Sequence, residues 1–171
     1  MDKSNSPSMS KAALLAADDG VLLKECRFEA CRGTGPGGQK RNKTSSAARV
    51  THLPSGISAA DDVTRSQHHN LDNALWKLRL ELAVALPPDN PEPHAPEIPL
   101  EPVPGNKAKN FFPWTGQLFD QLQIHGFDPA PAAAAFGCTP GRLLRLMGKT
   151  PALWQKFIQC RQQRGLPPLH S

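Results

Sequence analysis

The sequence predicts an α+β first half: a small mixed sheet, a glycine-rich loop and one long packing helix. A proline-rich linker and a small all-α C-terminal domain follow. Three observations carry this. Two short alternating segments flank the tight-turn tetrapeptide Leu53-Pro54-Ser55-Gly56, and a leucine-striped helix comes after them. Eight of the eighteen residues from Pro87 to Pro104 are proline. Thr139-Pro140 and Thr150-Pro151 each set a capping threonine before a proline suited to a first helical position.

The chain has 171 residues, with 18 prolines, 13 glycines, 4 cysteines and no tyrosine. This length holds one domain or two small ones and excludes a large enzyme with separate substrate and cofactor domains. No apolar run approaches the ~18 residues of a membrane span. The polar start, Met1 to Ser10, has neither a secretion-signal core nor an Arg-rich transit pattern, so a cytoplasmic location is expected. Cys26, Cys31, Cys138 and Cys160 form no C-x-x-C pair, and no histidine lies at finger spacing from two of them. They read as small apolar residues, and no metal or cofactor is expected.

In order along the chain, residues 1–21 form an N-terminal segment with a short helix over Lys11–Ala17. Lys24–Cys31 alternates enough for a strand. After the glycine loop, Asn42–Ala47 reads as a helical turn. Ala48–His52 and Ile57–Asp61 read as two strands around the hairpin. Ser66 caps a helix to about Leu86, in which Leu71, Leu75, Leu78, Leu82 and Leu86 recur at steps of three and four and form a core stripe. Pro87 ends it. Residues 87–110 are read as a semi-rigid polyproline spacer between a domain at 22–86 and one at 111–171. In the latter, Thr115–His125 is amphipathic and stopped by Gly126, and Ala132–Phe136 is a short helix. Further helices start at Pro140 and Pro151, with Gly148 and Gly165 closing them.

Charge follows the same division. Residues 1–86 carry 12 basic and 9 acidic side chains, the spacer 2 and 4, and the rest 6 and 2. Both flanking parts are basic and the connector is acidic.

The loop CRGTGPGGQKRNKTSS admits three readings. Gly33, Gly35 and Gly38 match the dinucleotide fingerprint G-x-G-x-x-G, with Asp61 and Asp62 further on. The third glycine, however, leads into Gln39-Lys40-Arg41-Asn42-Lys43 in place of an apolar helix, and no further βαβ unit fits before Pro87. Gly37 followed by Lys43-Thr44 has a Walker A interval, but Asn42 stands where the second glycine belongs. The third reading begins from Gly37-Gly38-Gln39 and its context: the Asn42-Lys43-Thr44 turn, Arg49-Val50-Thr51-His52, Pro54-Ser55-Gly56, Arg65-Ser66-Gln67 and the leucine helix. From about Leu22 to Leu86 this order of motifs resembles the catalytic domain of class I peptide chain release factors and the shorter ribosome-rescue hydrolases related to them.

The resemblance implies ribosome-dependent hydrolysis of the ester that joins a nascent peptide to its tRNA. Water attacks the carbonyl and a tetrahedral oxyanion forms. A donor aimed at that charge lowers the barrier, and removing one typically costs ~2.7–4 kcal/mol. The implied donor is the backbone amide of Gln39, with Gly37 and Gly38 setting the conformation. The implied partners are peptidyl-tRNA, the rRNA of the peptidyl-transferase centre and a glutamine methyltransferase acting on Gln39. The protein is expected to act as a monomer away from membranes. Family members often carry histidine where Lys40 stands. His68 and His69 fall in the first turn of the long helix and read as exposed.

No acid lies between Glu29 and Asp61, whereas Arg32, Lys40, Arg41, Lys43 and Arg49 do. With Arg65 they form the expected RNA-contacting set, since such a run neutralises phosphates. No segment is long enough for a codon-reading domain, so codon-independent release or rescue is expected. In the C-terminal part, Ala133-x-x-x-Gly137 followed by Leu143 and Leu146 fits helix-turn-helix spacing, with Arg142, Arg145 and Lys149 as nucleic-acid contacts. A plain helical bundle around Phe136, Leu143, Leu146, Trp154, Phe157 and Ile158 explains the same residues. The competing function is a non-enzymatic RNA- or DNA-binding protein led by this module.

Overall fold

The computed structural model describes residues 9–31 and 46–169. These fall into two compact units, Met1–Leu86 and Pro87–Ser171. No described helix is long and apolar enough to cross a membrane.

The first unit opens with α1 (Lys11–Ala16), capped by the Ser10 hydroxyl, which accepts from the Ala13 amide at 3.2 Å. A second short helix, α2 (Asp19–Lys24), was not foreseen in the sequence. Three strands follow: β1 (Cys26–Cys31), β2 (Ala47–His52) and β3 (Ser58–Asp61). They lie in the order β1-β2-β3, and both pairings are antiparallel. The expected mixed sheet is therefore corrected. Among the described residues each strand returns beside its predecessor, so none of them is joined by a crossover that would set two strands parallel.

At the β2–β3 hairpin, Gly56 takes φ +71° and its amide donates to the His52 carbonyl at 2.8 Å. Within β2, Ala48, Val50 and His52 are buried while Arg49 is exposed, so alternation assigns one face to the core. The long helix α3 (Gln67–Ala85) packs across β2 and β3, and the Ser66 hydroxyl accepts from the His69 amide. Leu75, Leu78 and Leu82 are buried as the stripe requires, whereas Leu71 and Leu86 are half-buried. A second side of α3 is also buried through Arg79, Leu80 and Ala83. The Arg79 guanidinium explains this: it donates to the Ala17 carbonyl at 2.6 Å and to Asp19 at 2.9 Å, tying α1 and α2 to α3.

In the second unit, α4 spans Phe111–Ile124, starting four residues earlier than expected. Pro113 is tolerated in the first turn, where its missing amide has no intrahelical partner, and Phe111 and Trp114 anchor that turn in the core. Part of the proline-rich stretch lies along α4. Gln117 accepts from the Glu97 and Ile98 amides at 2.7 Å each and donates to the Ile98 carbonyl at 2.6 Å. The Trp114 indole donates to the carbonyl of buried Leu100. Next come α5 (Pro129–Ala135), α6 (Pro140–Gly148) and α7 (Pro151–Gln163), with α5 three residues earlier than the expected Ala132 start. Gly137 and Gly165 take φ +65° and +66° just past α5 and α7. Gly148, expected to close α6, is its last helical residue, and Lys149 caps it. Phe127 packs its ring between Phe119 and Phe157 at the centre of this core.

Candidate functional site

Cys31 pairs with Ala47 at one end of the sheet, so the connection between β1 and β2 leaves and returns at adjacent strand ends. That connection carries the glycine loop. Residues 32–45 lie outside the described residues, and with them Gly37, Gly38 and Gln39, the basic residues Arg32, Lys40, Arg41 and Lys43, and most of the expected Asn42–Ala47 turn. Ala47, the last residue of that turn, is the first residue of β2.

The return end of the connection is anchored by a side chain that sequence reasoning did not single out. Asn70, on the first turn of α3, is fully buried. Its Nδ2 donates to the Ser46 carbonyl at 2.7 Å and to the Thr64 carbonyl at 2.9 Å. Its Oδ1 accepts from the Thr64 amide at 2.9 Å and the Thr64 hydroxyl at 2.8 Å. All four hydrogen-bonding positions of the amide are used. The only sequence signal was a polar residue where the helix turns inward.

One and two turns further along α3, Asn73 and Lys77 meet Asp61 at the end of β3. The carboxylate accepts from Asn73 Nδ2 at 3.0 Å and from Lys77 Nζ at 2.5 Å. Burial pushes the Asp61 carboxyl up. The Lys77 and Asn73 hydrogen bonds outweigh it and hold the group below its ordinary range. At the other end of β2, buried His52 lies 2.8 Å from the Ser55 hydroxyl through Nδ1 and 3.1 Å from Glu25 through Nε2, which fastens the hairpin to the start of β1. Burial and the neighbouring Glu25 charge push the Cys26 thiol up to about 11, and burial also raises Cys138, so neither is an activated nucleophile. Among the described residues no group of three His, Cys, Asp or Glu is arranged to hold a metal.

Of the expected RNA-contacting residues that are described, Arg49 is exposed on the outward face of β2, opposite Glu29 and Ala60. Arg65 is exposed immediately before the α3 cap. His68 and His69 are exposed, as expected. In the second unit Arg142, Arg145 and Lys149 are all exposed on or beside α6, and Arg142 pairs with Glu101 from the proline-rich stretch.

Comparison with known proteins finds a likeness in the first part of the chain. The family model of the RF-1 domain matches residues 20–97. Over these residues the chain is similar to the GGQ domain of class I release factors. The chain is 50% identical over 58 residues to peptide chain release factor 2 of Paramagnetospirillum magneticum, covering 34% of this chain and 16% of that one. Peptide chain release factor 1 of Xylella fastidiosa is 41% identical over 66 residues, 39% and 18% of the two chains. Peptide chain release factor 1 of Ehrlichia canis is 48% identical over 59 residues, 34% and 16%. The chain thus matches less than a fifth of the length of these relatives.

Proposed function

We propose that this protein acts in translational release, hydrolysing the peptidyl-tRNA ester on the ribosome without reading a codon. One observation carries the reading: the Gly37-Gly38-Gln39 tripeptide sits inside the RF-1 domain, on the connection between the paired ends of β1 and β2. The names of the relatives, peptide chain release factors 1 and 2, support the same chemistry. In this reading the Gln39 amide donates to the developing oxyanion. Gly37 and Gly38 admit the backbone conformation and close approach that a side chain would block. Gln39 is also the position a glutamine methyltransferase would modify. Arg32, Lys40, Arg41, Lys43, Arg49 and Arg65 neutralise rRNA and tRNA phosphates. The second unit adds a basic module: α5, the Gly137 turn and α6 present Arg142, Arg145 and Lys149 toward nucleic acid. The protein works as a monomer, and the rescue of stalled ribosomes is its setting.

Peptide release from ribosomes carrying peptidyl-tRNA, with and without mRNA in the A site, tests this. Wild type should release peptide in the absence of an A-site codon. Gly38→Ala and Gln39→Pro, which removes the amide donor, should lower the rate by about 100-fold or more. A wild-type protein that releases nothing, or a Gly38→Ala protein as fast as wild type, sinks the proposal.

A further inference from the structure

Asn70 has no part in the chemistry described above, yet all four hydrogen-bonding positions of its amide are used. It is 0% exposed, and its four hydrogen bonds join three pieces of chain distant in sequence or direction: Ser46, Thr64 and the first turn of α3. A buried amide that only needed satisfying could use its own neighbourhood. This one reaches 24 residues back to the carbonyl of Ser46, at 2.7 Å. Ser46 immediately precedes β2, so it is the first described residue after the glycine-loop connection.

We infer that Asn70 is a positioning residue for peptide release: through the Ser46 carbonyl it fixes where the glycine-loop connection rejoins the sheet. The inference rests on the release reading above. Two features of the contact favour a positional role. The bond is made to backbone, so it fixes the chain path whatever side chain occupies position 46. The donor is itself fixed, because Oδ1 is held by both the amide and the hydroxyl of Thr64, which leaves Nδ2 no freedom to turn away. The Thr64 hydroxyl is in turn placed near the Ser66 backbone, accepting from its amide at 3.1 Å and lying 3.0 Å from its carbonyl. The loop stem is thus referenced to the helix cap. Displacement of a reacting group by about 1 Å can cost about 100-fold in rate. A stem that relaxes should therefore appear in the rate of the bound complex before it appears in binding.

Two substitutions separate position from stability. Asn70→Asp keeps the shape and the Oδ1 acceptor but removes the Nδ2 donors, so the Ser46 and Thr64 carbonyls lose their partner. Thr64→Val removes the hydroxyl bond of the same hub but keeps the backbone amide bond to Oδ1, so Nδ2 stays oriented and the Asn70–Ser46 bond stays in place. Single-turnover release at increasing concentrations of the full chain gives a maximal rate and a half-saturating concentration, and thermal unfolding gives the stability of each variant. The inference expects Asn70→Asp to lower the maximal rate by about 10- to 100-fold with half-saturation within about threefold of wild type. Thr64→Val, even with a comparable fall in Tm, should stay within about threefold in both. Equal rate losses in the two variants, or an Asn70→Asp protein with an unchanged maximal rate, overturn the inference while leaving the release reading intact. A wild-type protein without release removes both. Should Asn70→Asp not fold, Asn70→Ser gives the same comparison, because its hydroxyl is too short to reach Ser46 and the same rate loss is expected.

Discussion

The Asp61–Lys77 pair has unequal halves, and this fixes the order of two substitutions. The side chain of Asp61 is 2% exposed and that of Lys77 is 47% exposed. Lys77→Met leaves a carboxylate behind in the interior. Asp61→Asn leaves an ammonium that already reaches water. Orphaning one member of a fully buried pair costs about 3–5 kcal/mol. Asn73 Nδ2 at 3.0 Å and the Val63 amide at 3.4 Å still face the Asp61 carboxylate, so about 2–3 kcal/mol is the reasonable cost of Lys77→Met. Asp61→Asn keeps the shape and the Asn73 contact and loses a half-solvated ionic bond, about 1 kcal/mol. For a unit of this size each 1 kcal/mol moves Tm by about 4–8 °C, giving roughly 10–20 °C against roughly 5 °C.

The pH dependence carries the sign. In wild type the Asp61 carboxyl is held below its ordinary value. The stability it contributes is therefore fully present above about pH 4 and is lost as pH falls through the lowered folded value. In Lys77→Met the hydrogen bonds no longer outweigh burial, so the carboxyl moves upward. It then destabilises at neutral pH, and that cost recedes as protonation neutralises it. The wild-type and Lys77→Met stability curves should converge from pH 7 to pH 3. Trp76 is the single tryptophan of the first unit, so its indole resonance in urea titrations reports on that unit alone. An Asp61→Asn protein less stable than Lys77→Met, or a gap that widens in acid, would refute the reasoning.

Two further substitutions probe the second unit. Phe157→Ala removes a fully buried ring that stacks on Phe127, and should cost about 3–5 kcal/mol, read from the Trp114 resonance in the same titration; a loss under 1 kcal/mol would mean the ring is not in the core. Gly137→Ala and Gly141→Ala both add a methyl group into open space, but only Gly137 has a positive φ. The first should destabilise by about 1 kcal/mol and the second should be neutral or stabilising by up to about 1 kcal/mol, and the reverse order would contradict the turn assignment.

Local signals in the sequence were legible where each was sufficient by itself. Ser66 before a leucine stripe, Pro54 and Gly56 in a hairpin, and threonine before proline at 139 and 150 all produced the elements they announce, although of the two threonines Thr139 caps with its hydroxyl and Thr150 does not. The failures share a different origin. The helix α2 is six residues long with one buried residue, Leu22, and no propensity argument would select it. It exists beside Asp19, which Arg79 grips from sixty residues away. The helix expected from Thr115 in fact begins at Phe111, before Pro113, because Phe111 and Trp114 are buried and anchor its first turn. The spacer reading likewise carried no expectation of Leu100 being buried with its carbonyl on the Trp114 indole, a contact between segments rather than a pattern within one. For the candidate site, the sequence was informative about the tripeptide and its basic neighbours and silent about Asn70. Its partners, Ser46 and Thr64, are ordinary polar residues until the fold brings them together.

The long helix carries two kinds of information on two sides. Leu75, Leu78 and Leu82 bury apolar area, a term roughly proportional to area and nearly indifferent to small sliding. Asn70, Asn73 and Lys77 recur at steps of three and four, so they share a face, and each bonds to a specific group at the rim of the sheet: Ser46 and Thr64, then Asp61, then Asp61 and the Ala60 carbonyl. A slide of α3 by one residue, about 1.5 Å along its axis, would keep much of the leucine burial and break all of these bonds. The leucines therefore supply most of the attraction and the polar row supplies the register. For a small domain whose proposed chemistry depends on where a glycine loop rejoins a three-stranded sheet, register is the property that matters. Sheet and helix meet at Ser46 and at Asp61, the ends of β2 and β3 nearest in register to the loop stem, since Ala48 pairs with Asp61. The stability of the domain and the placement of its loop are accordingly set by different side chains of the same helix, and substitutions can move one without the other.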